Sequence, residues 1–445
     1  MVSESFRSRT SARLNDLAER LKNNLSINVL LQTSSRLKVA PVLVGGILRD
    51  TVLGRECQDT DIAVAHSALD LAGELAEALK GTFVPLDETH GSARVVLESG
   101  ESFDITDFRR DTLEDDCRAR DLTCNALAAP LREFIEKGVD AVVDVMGAMT
   151  DIEAGLIRMT CAEALSDDPV RIMRVFRYAA QLGFDIEPKT LAEVAEVAPQ
   201  LSAEPGERVW YEMRLITASK RIRVVLPKML STGVLQAIFT FLEHEELEAW
   251  VRRVSAVERM INQGGIYLPG YKAVAERISS FRLITILAAL QVGRRIPELI
   301  TTLRLSKRMT GRIMRIELAL VSVRRLVYDN PVDLDFVYVS SRILLNLGEY
   351  RLAPWLIVAA DGDKEKVFAT LTRFEKVVTE KVMPVIDSGE LVGGGELVQA
   401  LGKKPGKWVA EVLEGIFYKR IGGKISTREQ ALEFAREYIE RFAIE

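Results

Sequence analysis

Gly45-Gly46-Ile47-Leu48-Arg49-Asp50, followed by Leu53-Gly54-Arg55 and then Asp59-Thr60-Asp61, sets a glycine turn beside two carboxylates. Leu43 and Val44 read as the end of a strand, the two glycines let backbone N–H groups approach an anion, and Ile47 to Leu53 reads as the start of a helix. Asp59 and Asp61 stand two apart on an Asp-Ile-Ala-Val-Ala strand and so project from one side of it. Carboxylates about 7 Å apart along a strand repel each other unless a cation lies between them. Magnesium suits such a pair, because it takes hard oxygen ligands and keeps part of its shell for phosphate oxygens. An Asp-x-Asp alone reads as a solvated loop and a Gly-Gly alone as a turn. The two in this order and spacing point to nucleotidyl transfer.

The elements that hold these residues follow from length and pattern. At 445 residues the chain exceeds a single core and divides into about three or four domains. From Val42 to about Met146, β-rich runs surround a helical stretch: Val42-Leu43-Val44, Asp61 to Ala65, Thr82-Phe83-Val84, Ala93 to Leu97, Ser102 to Ile105 and Ala141-Val142-Val143. The pattern predicts an α+β unit, a mixed sheet with helices. Beyond Asp151 apolar residues recur at helical spacing, as in Ile172, Val175, Phe176, Ala179 and Leu182, which predicts an all-α remainder. Breaks are expected near Gly183 to Pro188, Glu204-Pro205-Gly206, Gly264-Gly265, Asn330-Pro331 and Gly393-Gly394-Gly395.

Composition excludes several classes. Apolar residues make up 48% and charged residues 28%, as in an ordinary globular protein, and no apolar run reaches the ~20 residues that span a bilayer. The best candidate, Leu283 to Val292, is short and preceded by Arg282, so no membrane partner is expected. Met1 to Leu21 lacks the apolar core of a signal peptide, which predicts a cytoplasmic protein. Cys57, Cys117, Cys124 and Cys161 show no Cys-x-x-Cys spacing, and His66, His90 and His244 are scattered, with no His-Asp doublet. Zinc and histidine acid–base chemistry are disfavoured. The net charge of −5 argues against indiscriminate nucleic-acid binding. Two local basic patches favour RNA: Arg294 to Arg325, opposed only by Glu298 and Glu317, and Lys403 to Lys424 around Pro405-Gly406.

These motifs resemble the class II tRNA nucleotidyltransferases, the CCA-adding enzymes with their CC-adding, A-adding and bacterial poly(A) polymerase relatives, in the DNA polymerase β superfamily. The resemblance is strongest from Val42 to about Glu212 and continues to Leu397–Leu413, which is similar to a Leu-Gly-x-x-Pro-Gly segment. It implies a nucleotidyltransferase head (1–148), a helical neck that recognises the base (149–225), a helical body (226–330) and a helical tail that binds tRNA (331–445). It also implies that Gly45, Gly46 and Arg49 receive the incoming triphosphate and that Asp59 and Asp61 hold two magnesium ions. Asp104, in Phe103-Asp104-Ile105, matches a third carboxylate placed to help deprotonate the RNA 3′ hydroxyl.

Arg120-Asp121-Leu122-Thr123-Cys124-Asn125-Ala126-Leu127 resembles the family's Arg-Arg-Asp-Phe-Thr-x-Asn-Ala motif facing the ribose, with Arg120 and Asp121 as contacts and Asn125 in support. Ala119 and Leu122 depart from the usual arginine and phenylalanine. A buried helix capped by Asp121 is the competing reading. Asp144, Gly147, Asp151 and Arg158 resemble the connector between head and neck.

Base choice is expected in Asp167-Asp168-Pro169-Val170-Arg171, with Arg174 and Arg177 following at intervals of three along a helix. Cytosine and adenine both present an exocyclic amine beside a ring-nitrogen acceptor. Asp168 accepting from the amine and Arg171 donating to the ring would favour both over uracil and guanine. Helix capping by Asp168 before Pro169 is the competing reading. Glu207, Arg208 and Glu212 match a Glu-Arg-x-x-x-Glu motif that implies ion-paired support.

The activity implied is template-independent addition of C and/or A from CTP and ATP to the tRNA 3′ end, with release of pyrophosphate. Only Thr106 to Ala119 separates Asp104 from Arg120, where CCA-adding relatives carry a longer flexible loop, which keeps a CC-adding or A-adding enzyme in play. The mixed-charge end, Arg436 to Glu445, makes a poly(A) polymerase a weaker reading. The intact Asp59 and Asp61 oppose a catalytically inactive RNA-binding protein. The long helical remainder opposes an enzyme that modifies a small molecule.

Overall fold

Short apolar runs bounded by turns from Val42 onward build a six-stranded mixed sheet in the computed structural model, which describes residues 2–57, 59–219, 221–262, 281–329 and 331–442. Its strands are β1 (Val42–Val44), β2 (Asp59–Val64), β3 (Thr82–Asp87), β4 (Ser92–Val96), β5 (Ser102–Asp107) and β6 (Ala128–Pro130), in the order β3-β4-β5-β2-β1-β6. Only β2 and β5 run parallel to each other, in a register that places Asp61 beside Asp104. Across the antiparallel β4–β5 pair, Arg94 is opposite Asp104. Val42, Leu43 and Val44 are all buried, as a central strand covered on both faces requires.

Two expectations need correction. Ala141-Val142-Val143 does not form a strand: Gly138–Ala141 is a 3₁₀ turn, and Val143 makes one bridge, to Ala128. Asp144 then turns away to accept from the N–H groups of Ala148 and Met149 at 2.7 and 3.0 Å, starting a helix where the strand would have continued. The sixth strand is β6 instead. Beyond Asp151 the chain is not wholly without strands, because Leu156–Ile157 pairs in parallel with Asp185–Ile186.

Around the sheet lie α1 (Glu4–Lys22), α2 (Leu25–Leu37), α3 (Gly46–Leu53), α4 (Ala68–Leu79), α5 (Leu113–Arg118), α6 (Leu131–Lys137) and α7 (Ala148–Ala154). Helix α4 buries Leu71, Ala72, Leu75 and Ala76 against β4 and β5. Next come α8 (Glu163–Ser166), α9 (Arg171–Leu182), α10 (Pro188–Val197) and α11 (Gly206–Ala218). Helix α9 is sharply two-faced: Ile172, Val175, Phe176 and Ala179 are buried, while Arg171 and Arg174 line the other side. Gly183, at φ +79°, ends it in the left-handed cap that glycine favours.

The chain divides into two compact units, Met1–Thr240 and Phe241–Glu445. The second contains only helices and turns among its described residues. Its core is built on Trp250, Phe281, Phe336, Trp355 and Phe374, and a separate cluster near the end packs Leu397, Trp408, Val412, Ile416, Ala431 and Ala435. The expected breaks at Gly264-Gly265 and at Asn330 lie outside the described residues. No single described helix is long and apolar enough to cross a membrane. The Asp333–Tyr350 and Ala353–Asp361 pair is apolar enough only in combination and bends by 103°.

Candidate active site

The glycine turn, both Asp-x-Asp carboxylates and the first residues of α9 meet in one cleft of about 850 Å³ within the Met1–Thr240 unit. Its floor is the β1–α3 turn. Gly45 has φ +66°, and a Cβ there would come within 3.2 Å of Asp61 Oδ2, so both backbone conformation and space call for glycine. The Gly46 N–H at the start of α3 donates to Asp61 Oδ2 at 3.1 Å.

Asp59 and Asp61 both line the cleft. Asp59 Oδ1 accepts from Ser102 Oγ at 2.5 Å, and no described residue donates to Asp59 Oδ2 or Asp61 Oδ1. Burial pushes the Asp61 carboxyl up, the Gly46 N–H pulls it back and the charge of Asp104 adds to the rise. Two cleft carboxylates, each with one oxygen left without a donor among the described residues, are the donor set of a hard divalent cation. Among the described residues no group of three or more His, Cys, Asp or Glu side chains gathers into a closed cage. Two carboxylates leave the rest of such an ion's shell to phosphate oxygens and water.

Arg49 rises from the first turn of α3 and is only 7% exposed. It donates to both oxygens of Asp50, at 3.0 and 2.8 Å, and to Asn125 Oδ1 at 2.6 Å, which fixes its plane in the cleft wall. Burial opposes its charge, but the Asp50 hydrogen bond, with the charge of Asp50 beside it, holds it firmly protonated. Arg120 is tied to the buried Asp116 at 2.9 Å, and Asp116 also accepts from the Arg109 N–H at 2.9 Å. Asp121 is no helix cap. It accepts from Arg174 Nε at 2.5 Å and from Asn125 Nδ2 at 3.2 Å. Burial pushes its carboxyl up, yet Arg174 holds it well below the usual carboxylate range.

Asp168 and Arg171 stand together on the cleft wall. The competing capping reading of Asp168 holds in part: Oδ1 takes the Val170 N–H at 3.3 Å in the turn that leads into α9. Both oxygens also accept from Arg208 Nη2, at 2.9 and 2.8 Å, which capping does not explain. Arg171 donates to the backbone carbonyl of Ala164 at 3.0 Å.

Arg174 lines the cleft but Arg177 does not. Three residues advance a helix by about 300°, so over two such steps the side chain falls about 120° behind the direction of Arg171. Arg177 is therefore buried, donating to Glu212 Oε1 at 3.2 Å. Burial pushes the Glu212 carboxyl up against the pull of Arg177 and Arg174. Glu207 and Arg208 stand on the same wall.

Asp104 lies beside Asp61, and both of its oxygens accept from Arg94, Nε and Nη2 each at 2.6 Å. Arg94 thus occupies one lone pair on each Asp104 oxygen and fixes the plane of the carboxylate.

Sequence reading missed Arg109, Tyr178 and Tyr211, all in the cleft lining. Tyr178 lies under three guanidiniums, those of Arg49, Arg174 and Arg177, at 4.9, 5.6 and 4.4 Å from its ring centre. The one signal for it was its place four residues after Arg174 on α9.

Residues 42–158 match the poly A polymerase head domain, and residues 183–246 match a domain described as a probable RNA and SrmB-binding site of polymerase A. The chain is 30% identical over 405 residues to a CC-adding tRNA nucleotidyltransferase of Geobacter sulfurreducens, covering 88% of this chain and 90% of the relative. It is 27% identical over 414 residues to a CC-adding tRNA nucleotidyltransferase of Synechocystis, covering 89% and 92%. The fold is that of a solved CCA-adding enzyme in its apo form, with a TM-score of 0.70 at 20% identity over 99% of this chain and 98% of that one.

Proposed function

This chain belongs to the tRNA nucleotidyltransferase family of its CC-adding and CCA-adding relatives, and on that premise we propose that it adds C and/or A nucleotides from CTP and ATP to the tRNA 3′ end. The observation that carries the reading is the union of Asp59, Asp61 and the Gly45-Gly46 turn in one cleft, with the Gly46 N–H on Asp61. Asp59 and Asp61 would hold the family's divalent metal, assigned here as two magnesium ions, which when bound supply charge neutralisation at the α-phosphate and activation of the RNA hydroxyl. The first turn of α3, with Arg49 and Arg120, receives the β- and γ-phosphates. The RNA 3′ oxygen gives up its proton to bulk water and bonds to the α-phosphorus as the bond to the bridging oxygen breaks, and pyrophosphate leaves toward Gly46 and Arg49.

Asp168 and Arg171 read the base. Arg208 grips Asp168 within the cleft, fixing the carboxylate that accepts the exocyclic amine of C or A, while Arg171 donates to the ring nitrogen. Asp121 and Asn125 shape the ribose wall, and the Arg177–Glu212 pair holds α9 to α11. A head (1–148), neck (149–225), body (226–330) and tail (331–445) belong to this reading, with tRNA on the basic patches of the later helices. So does residence in the cytoplasm, where the unpaired cysteines would stay reduced.

One observation favours a product that stops at CC. Between Asp104 and Arg120 the chain is short and pinned: the Phe108 N–H donates to Val64 O at 2.7 Å, Thr112 caps α5 through the Asp115 N–H, and the buried Asp116 holds both Arg109 and Arg120. So many ties leave little slack for reshaping the base pocket from C to A.

The test supplies tRNAs ending before CCA, after C and after CC with CTP and ATP, separately and together, and reads the 3′ ends. Growth to CC that does not continue with ATP supports the narrower product, and growth to CCA supports the full one. No addition to any of the three rejects the function.

A further inference from the structure

Three strand residues and one turn form a transverse row across the sheet: Arg94 on β4, Asp104 on β5, Asp61 on β2 and the Gly45-Gly46 turn that follows β1. Successive strands are about 4.8 Å apart, so the Arg94 strand lies roughly 10 Å from the strand of Asp61, on the side opposite the glycine turn. The Arg94 side chain is 41% exposed, and with Nε and Nη2 bound to Asp104 its Nη1 donates to no described residue. Ser92, two residues earlier on the same face of β4, lines the cleft.

Phosphoryl transfer sets the attacking and leaving oxygens roughly in line across the α-phosphorus. If pyrophosphate leaves toward Gly46 and Arg49, the RNA terminus enters from the far end of the row, over Asp104 and Arg94. There its own phosphates would meet Asp59, Asp61 and Asp104. Arg94 is the cation built into that end, and the hydrogen bonds and charge of Asp104, with the charge of Asp59 in support, outweigh its desolvation and keep it protonated. A guanidinium clamped through two nitrogens is pre-oriented, so little freedom is lost when its third nitrogen takes a ligand.

The geometry points to Arg94 as the ligand of the phosphodiester on the 5′ side of the RNA terminal nucleotide, with Asp104 as its anchor rather than a base. This inference rests on the nucleotidyltransferase reading above and adds the acceptor-strand contact that the reading lacks.

The experiment measures CMP addition to a tRNA minihelix ending before CCA, with a natural linkage or a neutral methylphosphonate at its last position, by wild type, Arg94→Ala and Arg94→Lys. Arg94→Ala should raise KM for the minihelix about tenfold and leave KM for CTP unchanged, the scale of one charge-assisted hydrogen bond, with Arg94→Lys in between. The neutral linkage should cost wild type the same factor and cost Arg94→Ala nothing further. A minihelix KM within twofold of wild type in Arg94→Ala, or an equal penalty of the neutral linkage in both proteins, overturns the inference while wild-type extension still upholds the function. Absence of extension by wild type strikes the function itself. Should Arg94→Ala melt too low to assay, Arg94→Lys and the linkage effect on wild type decide, and no linkage effect on wild type overturns the inference.

Discussion

Gly46 and Asp61 are joined by a hydrogen bond of 3.1 Å from the backbone N–H to Oδ2, although 15 residues separate them. The glycine turn and the Asp59–Asp61 strand are thereby one mechanical unit. The helix N-terminus points its first N–H at the Asp61 carboxylate.

Gly45→Ala should show how tightly that unit is built. The new methyl would meet Asp61 Oδ2 at 3.2 Å on a backbone at φ +66°, ψ −122° that side chains rarely adopt. The expected cost is about 1–3 kcal/mol of stability, with a raised KM for CTP, measured by thermal melts and steady-state kinetics.

Asp121 gives the fold an acid-sensitive tie. Its carboxyl lies below the usual range because Arg174 faces it. A depressed carboxyl stabilises the fold above its unfolded value of about 3.9 and loses that contribution as pH falls through the folded value. Asp121→Asn should therefore cost about 3–5 kcal/mol at pH 7, and melts from pH 7 to pH 3 should show the gap to wild type closing below about pH 4.

Base selection should weaken by steps. Asp168→Ala and Arg171→Ala each remove one of the two matched polar partners, worth about 1–3 kcal/mol of discrimination, so UTP or GTP incorporation should rise roughly ten- to a hundredfold relative to CTP. Unchanged selectivity with intact folding would send the base-reading role elsewhere.

Tyr178 supplies a ring rather than a hydroxyl to the three arginines over it. Tyr178→Phe should be close to neutral, whereas Tyr178→Leu should lose about 0.5–1 kcal/mol per cation–π contact and weaken CTP binding by releasing Arg49. Calorimetric melts and KM for CTP together check this.

What could be read from the chain was what is local. The glycine turn, the Asp-x-Asp strand and the first turns of α3 and α9 each declare themselves within a few residues. Arg94 was silent because its meaning comes from the β4–β5 register, and the Arg174–Asp121 pair joins residues 53 apart. Arg177 was placed at the nucleotide by a spacing of three, which on a 3.6-residue helix rotates away from the cleft. Ala141-Val142-Val143 resembled a strand by composition, but Asp144 diverts its backbone into the cap of α7.

The most direct test replaces Asp59 and Asp61 singly by Ala and measures magnesium-dependent addition of labelled CMP beside tRNA affinity and melting temperature. Each variant should bind tRNA within a few-fold of wild type, stay folded and add no nucleotide. Robust addition by either variant would contradict the account at its centre.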